Sequence, residues 1–180
     1  HHLDQNGQWH GPCGCFQFQL MAPRTATPLQ NPWPALPMKQ MGHGNGHLWE
    51  QTVLPFMTRH DGLINFCNTG PLFKRKQWMF LHDAQTFAIP KNFTPALRYW
   101  YQALFRITGY FSAGVLTNSS FSAKELIHYA AIPPDRLTVA PLGADHMGRR
   151  QADFTQRIQS LMTTLKGKPF VLAVSSASPN

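Results

Sequence analysis

A histidine and an aspartate stand side by side at His82-Asp83, directly after the apolar run Trp78-Met79-Phe80-Leu81. An imidazole can hold or move a proton near neutral pH, and an adjacent carboxylate can fix its orientation. The run before the pair has the length and composition of a strand buried on both faces. In open parallel sheets the carboxyl ends of strands are where loops diverge and leave a ligand crevice. The pair therefore stands where such folds do chemistry. Three more apolar runs, 63–67, 114–117 and 137–140, also end in polar or glycine-rich residues. Their exits are Asn68-Thr69-Gly70-Pro71, Asn118-Ser119-Ser120 and Pro141-Leu142-Gly143-Ala144-Asp145. Set next to one another, the four exits would line one crevice.

The elements that would position these exits follow from periodicity. Residues 48–57 read as a short helix with Glu50 and Gln51 outward and Pro55 near its end. Asp61-Gly62 is a turn signal before the strand at 63–67. Pro95 sits in the first turn of a helix over 95–110, where its missing amide costs nothing. Leu97, Tyr101, Leu104, Phe105 and Thr108 share one face of that helix, an aromatic-rich stripe that reads as core. Ser122-Ala123-Lys124-Glu125 is a capping-box pattern that opens a helix over 122–131. After a turn at 132–136 and the strand at 137–140, a helix is expected over 152–166. Its apolar face is Phe154, Ile158, Leu161, Met162 and Leu165, and Gly167 ends it. A buried-type strand over 170–174 follows. Strands alternating with helices from residue 48 onward argue for an α/β fold with a Rossmann-like, doubly wound parallel sheet.

Residues 1–46 read as loop-rich. Phe16, Phe18 and Leu20 alternate with glutamines as one half-exposed strand, and the proline-rich segment 23–37 can be neither helix nor central strand. His43 and His47 read as polar loop residues. The chain opens without an initiator Met and closes on an apolar strand and a small-residue loop, which reads as a piece cut from something longer.

The 180 residues carry 16 Lys and Arg against 8 Asp and Glu, a formal charge of +8. Such a balance suits an anionic partner. The densest cluster is only Lys74-Arg75-Lys76, and neither a long basic stripe with interleaved aromatics nor a known module speaks for nucleic acid. No apolar run reaches the roughly 18 residues of a membrane span, and no signal peptide opens the sequence. Cys13, Cys15 and Cys67 form no even framework, and Cys13-Gly14-Cys15 has no second pair at zinc spacing. Free thiols in a reducing cytoplasm are the plainer account.

In order and spacing, the strand exits resemble the amino-terminal domain of glycosyltransferase family 4. The residues that carry the resemblance are Asn68-Thr69-Gly70-Pro71, the apolar strand with His82-Asp83, the segment from Ala113 to Leu126, and the segment from Leu137 to Asp145. Lys168 to Val174 with Ser178-Pro179-Asn180 resembles the first strand and loop of the second domain. The resemblance covers about residues 48–180. It implies the amino-terminal half of a two-domain GT-B enzyme, an acceptor-side domain over 1–166 and the start of a nucleotide-sugar domain over 167–180. The implied activity is retaining transfer of a sugar from a nucleotide-sugar donor to a saccharide or lipid-linked acceptor, in polysaccharide or glycoconjugate synthesis. His82 would be the cleft histidine that contacts the transferred sugar or the acceptor, and Asp83 would orient the imidazole or the loop. Asn68, Gly70, Asn118 and Ser119 would line the cleft, with Gly143 and Asp145 near the domain junction. Ser178 and Asn180 would belong to the donor loop. The nucleotide-sugar is a substrate, and neither a cofactor nor a metal is expected.

The implied donor cation and a Glu-x7-Glu segment would follow residue 180, so the chain alone is expected to be inactive. A cytoplasmic location follows, with peripheral contact at the inner face of the membrane as a use for the basic surface. The alternative from another class is a non-catalytic Rossmann-like module that holds a phosphorylated ligand. A hydrolase lacks the Gly-x-Ser-x-Gly turn, and zinc lacks a third and fourth ligand beside His82 and Asp83.

Overall fold

The computed structural model describes residues 7–11, 14–24, 31, 36–44, 46–143 and 163–165. The chain divides into two compact units, His1–Val139 and Ala140–Asn180. In the second unit, residues 140–143 are irregular and 163–165 form a helical turn. The expected boundary at 166/167 falls inside this unit. The remainder of the 152–166 helix, the strand at 170–174, Asp145, Ser178 and Asn180 lie outside the described residues.

The first unit opens with a hairpin of β1 (Gln8–Gly11) and β2 (Gly14–Gln17), in which Trp9 faces Phe16. β3 (Leu20–Ala22) then pairs in parallel with β4 (Met38–Gln40). The single strand expected around Phe16 to Leu20 is therefore two. The partner changes between them, because Phe18 donates its amide to Gly7 while Leu20 donates to Pro37. α1 (Gly46–Met57) follows. It includes His47, which is a helical residue rather than a loop one.

The main sheet comprises β5 (Leu63–Asn65), β6 (Gln77–Phe80), β7 (Gly114–Thr117) and β8 (Leu137–Val139), all parallel and adjacent in chain order. α2 (Gln85–Ala88) and α3 (Pro95–Phe111) join β6 to β7, and α4 (Ser120–Ala130) joins β7 to β8. This is an α/β fold with a four-stranded parallel sheet flanked by helices. Register places Met79, Leu81 and Val115 on one face, where they meet Leu104 and Phe105 of α3 and Leu126 and Ala130 of α4. Each large side chain buried there stabilises the fold by about 2 kcal/mol. α3 also comes close to the turn after α4, since a Cβ on Gly109 would lie 2.8 Å from Ile132. Among the described residues the strand order shows no reversal, and α3 and α4 share one face. That arrangement is compatible with a Rossmann-like fold.

The opposite face corrects the expectation for residues 78–81. Trp78 is 41 % exposed, beside the exposed Ile64 of the neighbouring strand. The indole lies across Gly114 and against Gly62, which have no side chains to push it aside. The run is thus buried on one face and half open on the other.

The connection from β5 to β6, residues 66–76, contains no helix. Gly70, Pro71 and Lys74 of this connection are buried, and the backbone there must find partners outside a helical ladder. Gln51 supplies two of them, donating to the Gly70 carbonyl at 2.9 Å and accepting the Leu72 amide at 2.9 Å. Gln51 therefore faces inward, contrary to its expected outward position. Fully buried Gln77 donates to the Pro71 carbonyl at 2.6 Å and accepts from Asn65 Nδ2 at 3.0 Å. Gly70 is pressed so closely onto the sheet that a Cβ would sit 2.6 Å from Met79 Sδ and 2.7 Å from Asn65 Nδ2. Gly70→Ala should accordingly overpack the crossover and destabilise the chain by about 1–3 kcal/mol. Urea denaturation would read this as a lower midpoint, and an unchanged midpoint would show the loop free to lift off the sheet.

Candidate functional site at the carboxyl edge of the sheet

β5, β6 and β7 end side by side, and the exits of β5 and β6 are tied directly. Asn68 is left-handed, with φ 58°, a conformation that asparagine tolerates better than most residues. This turn lets its amide donate to the Phe80 carbonyl at 3.1 Å. Its Oδ1 accepts the His82 amide at 2.7 Å. His82 in turn donates from Nε2 to the Phe66 carbonyl at 2.8 Å. A carbonyl only accepts, so Nε2 carries a proton, and in the neutral ring Nδ1 presents a lone pair. The ring also packs against Phe80, with centroids 4.8 Å apart. The imidazole is thus held at the ring nitrogen, the backbone and one flank, and Nδ1 has no partner among the described residues. That leaves an oriented acceptor at the sheet edge.

Asp83 accepts the Gln85 amide at 3.0 Å and so shapes the entry to α2. Of the two roles expected for it, this geometry is that of the loop.

At the end of β7, Asn118, Ser119 and Ser122 form a chain of bonds. Ser119 Oγ accepts the Ser122 amide at 3.1 Å and donates to Ser122 Oγ at 3.0 Å, while Ser122 Oγ donates to Asn118 Oδ1 at 3.0 Å. Ser119 is the N-cap, and α4 begins at Ser120. The capping box expected from Ser122 is displaced three residues back. Ser122 and Ala123 are buried within the first turn, and Asn118 has already taken the Ser122 hydroxyl. With the cap made internally, these serines are less available to an outside anion than a bare helix terminus would be.

The expected site residues thus part into groups. Asn68 and His82 are bonded to each other, with Asp83 next in the chain and Asn118 and Ser119 at the neighbouring strand end. Gly70 is turned beneath the crossover as a packing residue. Gly143 is an exposed residue of the second unit.

One polar cluster was not anticipated. His47 Nδ1 lies 3.2 Å from Glu50 Oε2, and its ring meets Trp100 and Tyr101 edge-on at 5.5 and 5.9 Å. Burial, and then the Glu50 carboxylate, push the Tyr101 hydroxyl above its ordinary range. Gln51, the next residue of α1, bonds the 66–76 crossover, so this end of the helix borders the exit of β5. A His-x-x-Glu spacing on one helix face was the available signal. Among the described residues, no group of three or more His, Cys, Asp and Glu side chains is placed to hold a metal ion, and no helix is long and apolar enough to cross a membrane.

Compared with known proteins, the chain matches no family profile, no curated protein and no solved structure.

Asn68→Ala should cost about 2 kcal/mol, because it combines left-handed strain with loss of the bond to His82. Asn68→Gly keeps the conformation and should cost less; equal losses in chemical denaturation would remove the strain from this account. Ser119→Ala should cost about 1 kcal/mol and Ser120→Ala much less. The reverse order in thermal melts would move the cap.

Proposed function

We propose that the chain is the acceptor-side domain of a retaining glycosyltransferase of the GT-B type, similar to family 4 and using a nucleotide-sugar donor. The observation that carries this reading is the Asn68–His82 junction at the carboxyl edge of a parallel sheet, where Nδ1 is held open by the Nε2 bond to Phe66. An acceptor fixed in this way suits a sugar hydroxyl, which donates one hydrogen bond and needs a defined direction. Orientation of this kind is how a site lowers a barrier before any bond is broken. Sugar transfer also needs charge stabilised on the departing diphosphate, a task for preorganised cations and amides. The capped start of α4 is a poor candidate for that task. The four-stranded parallel sheet flanked by helices is compatible with the Rossmann-like domain this reading requires.

The test is saturation-transfer NMR on the chain, with acceptor-type saccharides and with nucleotide-sugars as separate ligands. Saccharide contacts are expected, and His82→Ala should weaken them about tenfold, the worth of one well-placed hydrogen bond. His82→Phe keeps a ring against Phe80 but has no acceptor, and it should bind as poorly as the alanine variant. Thermal unfolding of both should stay near that of the parent. Nucleotide-sugar contacts without saccharide contacts would favour the alternative, a module for phosphorylated ligands. Saccharide binding indifferent to residue 82 would remove His82 from the site.

A further inference from the structure

The opposite, amino edge of the sheet carries a second surface. Here α1 ends and residues 73–76 lead into β6. Pro55, Arg59, Phe73, Lys74, Arg75 and Lys76 line a shallow depression of about 310 Å³. Lys74 is itself buried, donating to the Thr58 and Asp61 carbonyls, so its ammonium is committed to the end of α1. Arg59, Arg75 and Lys76 are exposed. Two aromatic rings stand out among these cations. Phe73 is 83 % exposed and Phe56 is 71 % exposed, with the Arg59 guanidinium 5.7 Å from the Phe56 ring centre. His60 and Asp61 are the other titratable residues of these two segments.

We infer that this edge docks on the surface of an anionic lipid bilayer, with Phe56 and Phe73 entering the interface and Arg59, Arg75 and Lys76 meeting lipid phosphates. Neither ring has a polar tip to keep in water, and both rise beside cations. Exposed rings and cations together are the combination that an anionic interface rewards. A free phosphate would use the cations and leave the two rings unexplained. A nucleic-acid strand needs a charged track several nucleotides long, whereas three exposed cations around one small depression make a patch. The inference does not rest on the proposed transferase activity, since the patch and His82 lie at opposite ends of β6.

Sedimentation of the chain with phosphatidylcholine vesicles, plain or carrying about 30 % phosphatidylglycerol, tests it. Binding is expected only to the anionic vesicles. Each cation near such a surface contributes about fivefold in partition, so Arg75→Glu with Lys76→Glu should lose at least ~25-fold. Arg106→Glu with Lys124→Glu changes the net charge equally at exposed positions on α3 and α4, and it should lose far less. Phe56→Ser with Phe73→Ser should also abolish sedimentation while circular dichroism stays unchanged. The inference is overturned by binding that survives the serine pair, by equal loss in the α3/α4 control, or by displacement with inorganic phosphate beyond a chloride control. Capture of poly(U) in place of vesicles would overturn it too.

Discussion

The first unit depends on one constraint: where the helix-free crossover is buried, at its middle, its backbone hydrogen bonds must be made by side chains. Between β5 and β6 those partners are Gln51 and Gln77, the latter held in turn by Asn65. Gln51 reaches in from α1, Asn65 and Gln77 stand on adjacent strands, and together they hold Gly70, Pro71 and Leu72 against the sheet. An unpaired buried amide or carbonyl would cost about 1–3 kcal/mol, and here several lie within three residues. The clamp also fixes what surrounds it. It sets the height of the loop above Met79, which leaves room for a glycine only, and it docks α1 beside the exit of β5.

The same loop delivers both surfaces of interest, because it must run from the carboxyl end of one strand to the amino end of the next. Its first residues place the Phe66 carbonyl and the Asn68 side chain around His82. Its last residues bring Lys74 to the end of α1 and leave Arg75 and Lys76 outside. Lys74 interacts with the helix terminus through carbonyl oxygens, the favourable arrangement for a cation at that end of a dipole. Burial nevertheless pulls its ammonium below the usual lysine range; Asp61 opposes that shift, and Lys76 adds to it. A lowered folded pKa means that folding disfavours the charged form. The cost is present at neutral pH and disappears as pH rises through the folded pKa toward 10.5.

How much of this was legible depended on whether a residue's environment is local. The strand at 114–117, the one expected over 63–67 though it stops at Asn65, the helix begun by Pro95 and the polar exits could be read because apolar runs, proline and turn residues act within a few positions. Gln51 and Gln77 could not. A glutamine in a short helix reads as solvent-facing, and only the missing crossover helix turns it inward. Trp78 misled for a related reason: an apolar run signals burial on both faces, but the described residues place helices on one. Among the serines, Ser122-x-x-Glu125 matched a capping pattern, and the choice fell to Ser119 because Asn118 had engaged the Ser122 hydroxyl.

The candidate site shows the same division. His82 could be located at a strand end from sequence, since a strand followed by polar residues is a local pattern. Its orientation could not, because it comes from Phe66 and Asn68, both contributed by the neighbouring strand's exit. Adjacent in sequence, Asp83 was the natural partner for the imidazole, yet its carboxylate turns to the Gln85 amide two residues on. A short acidic side chain ahead of a helical turn satisfies a nearby backbone amide more readily than it reaches back to the preceding ring. The proton on Nε2 is therefore set by a backbone carbonyl, which carries no formal charge. In the neutral ring the bond to that carbonyl fixes the tautomer and leaves Nδ1 as an acceptor. That arrangement suits recognition of a hydroxyl, and it is the carbonyl of Phe66, delivered by the crossover, that decides it.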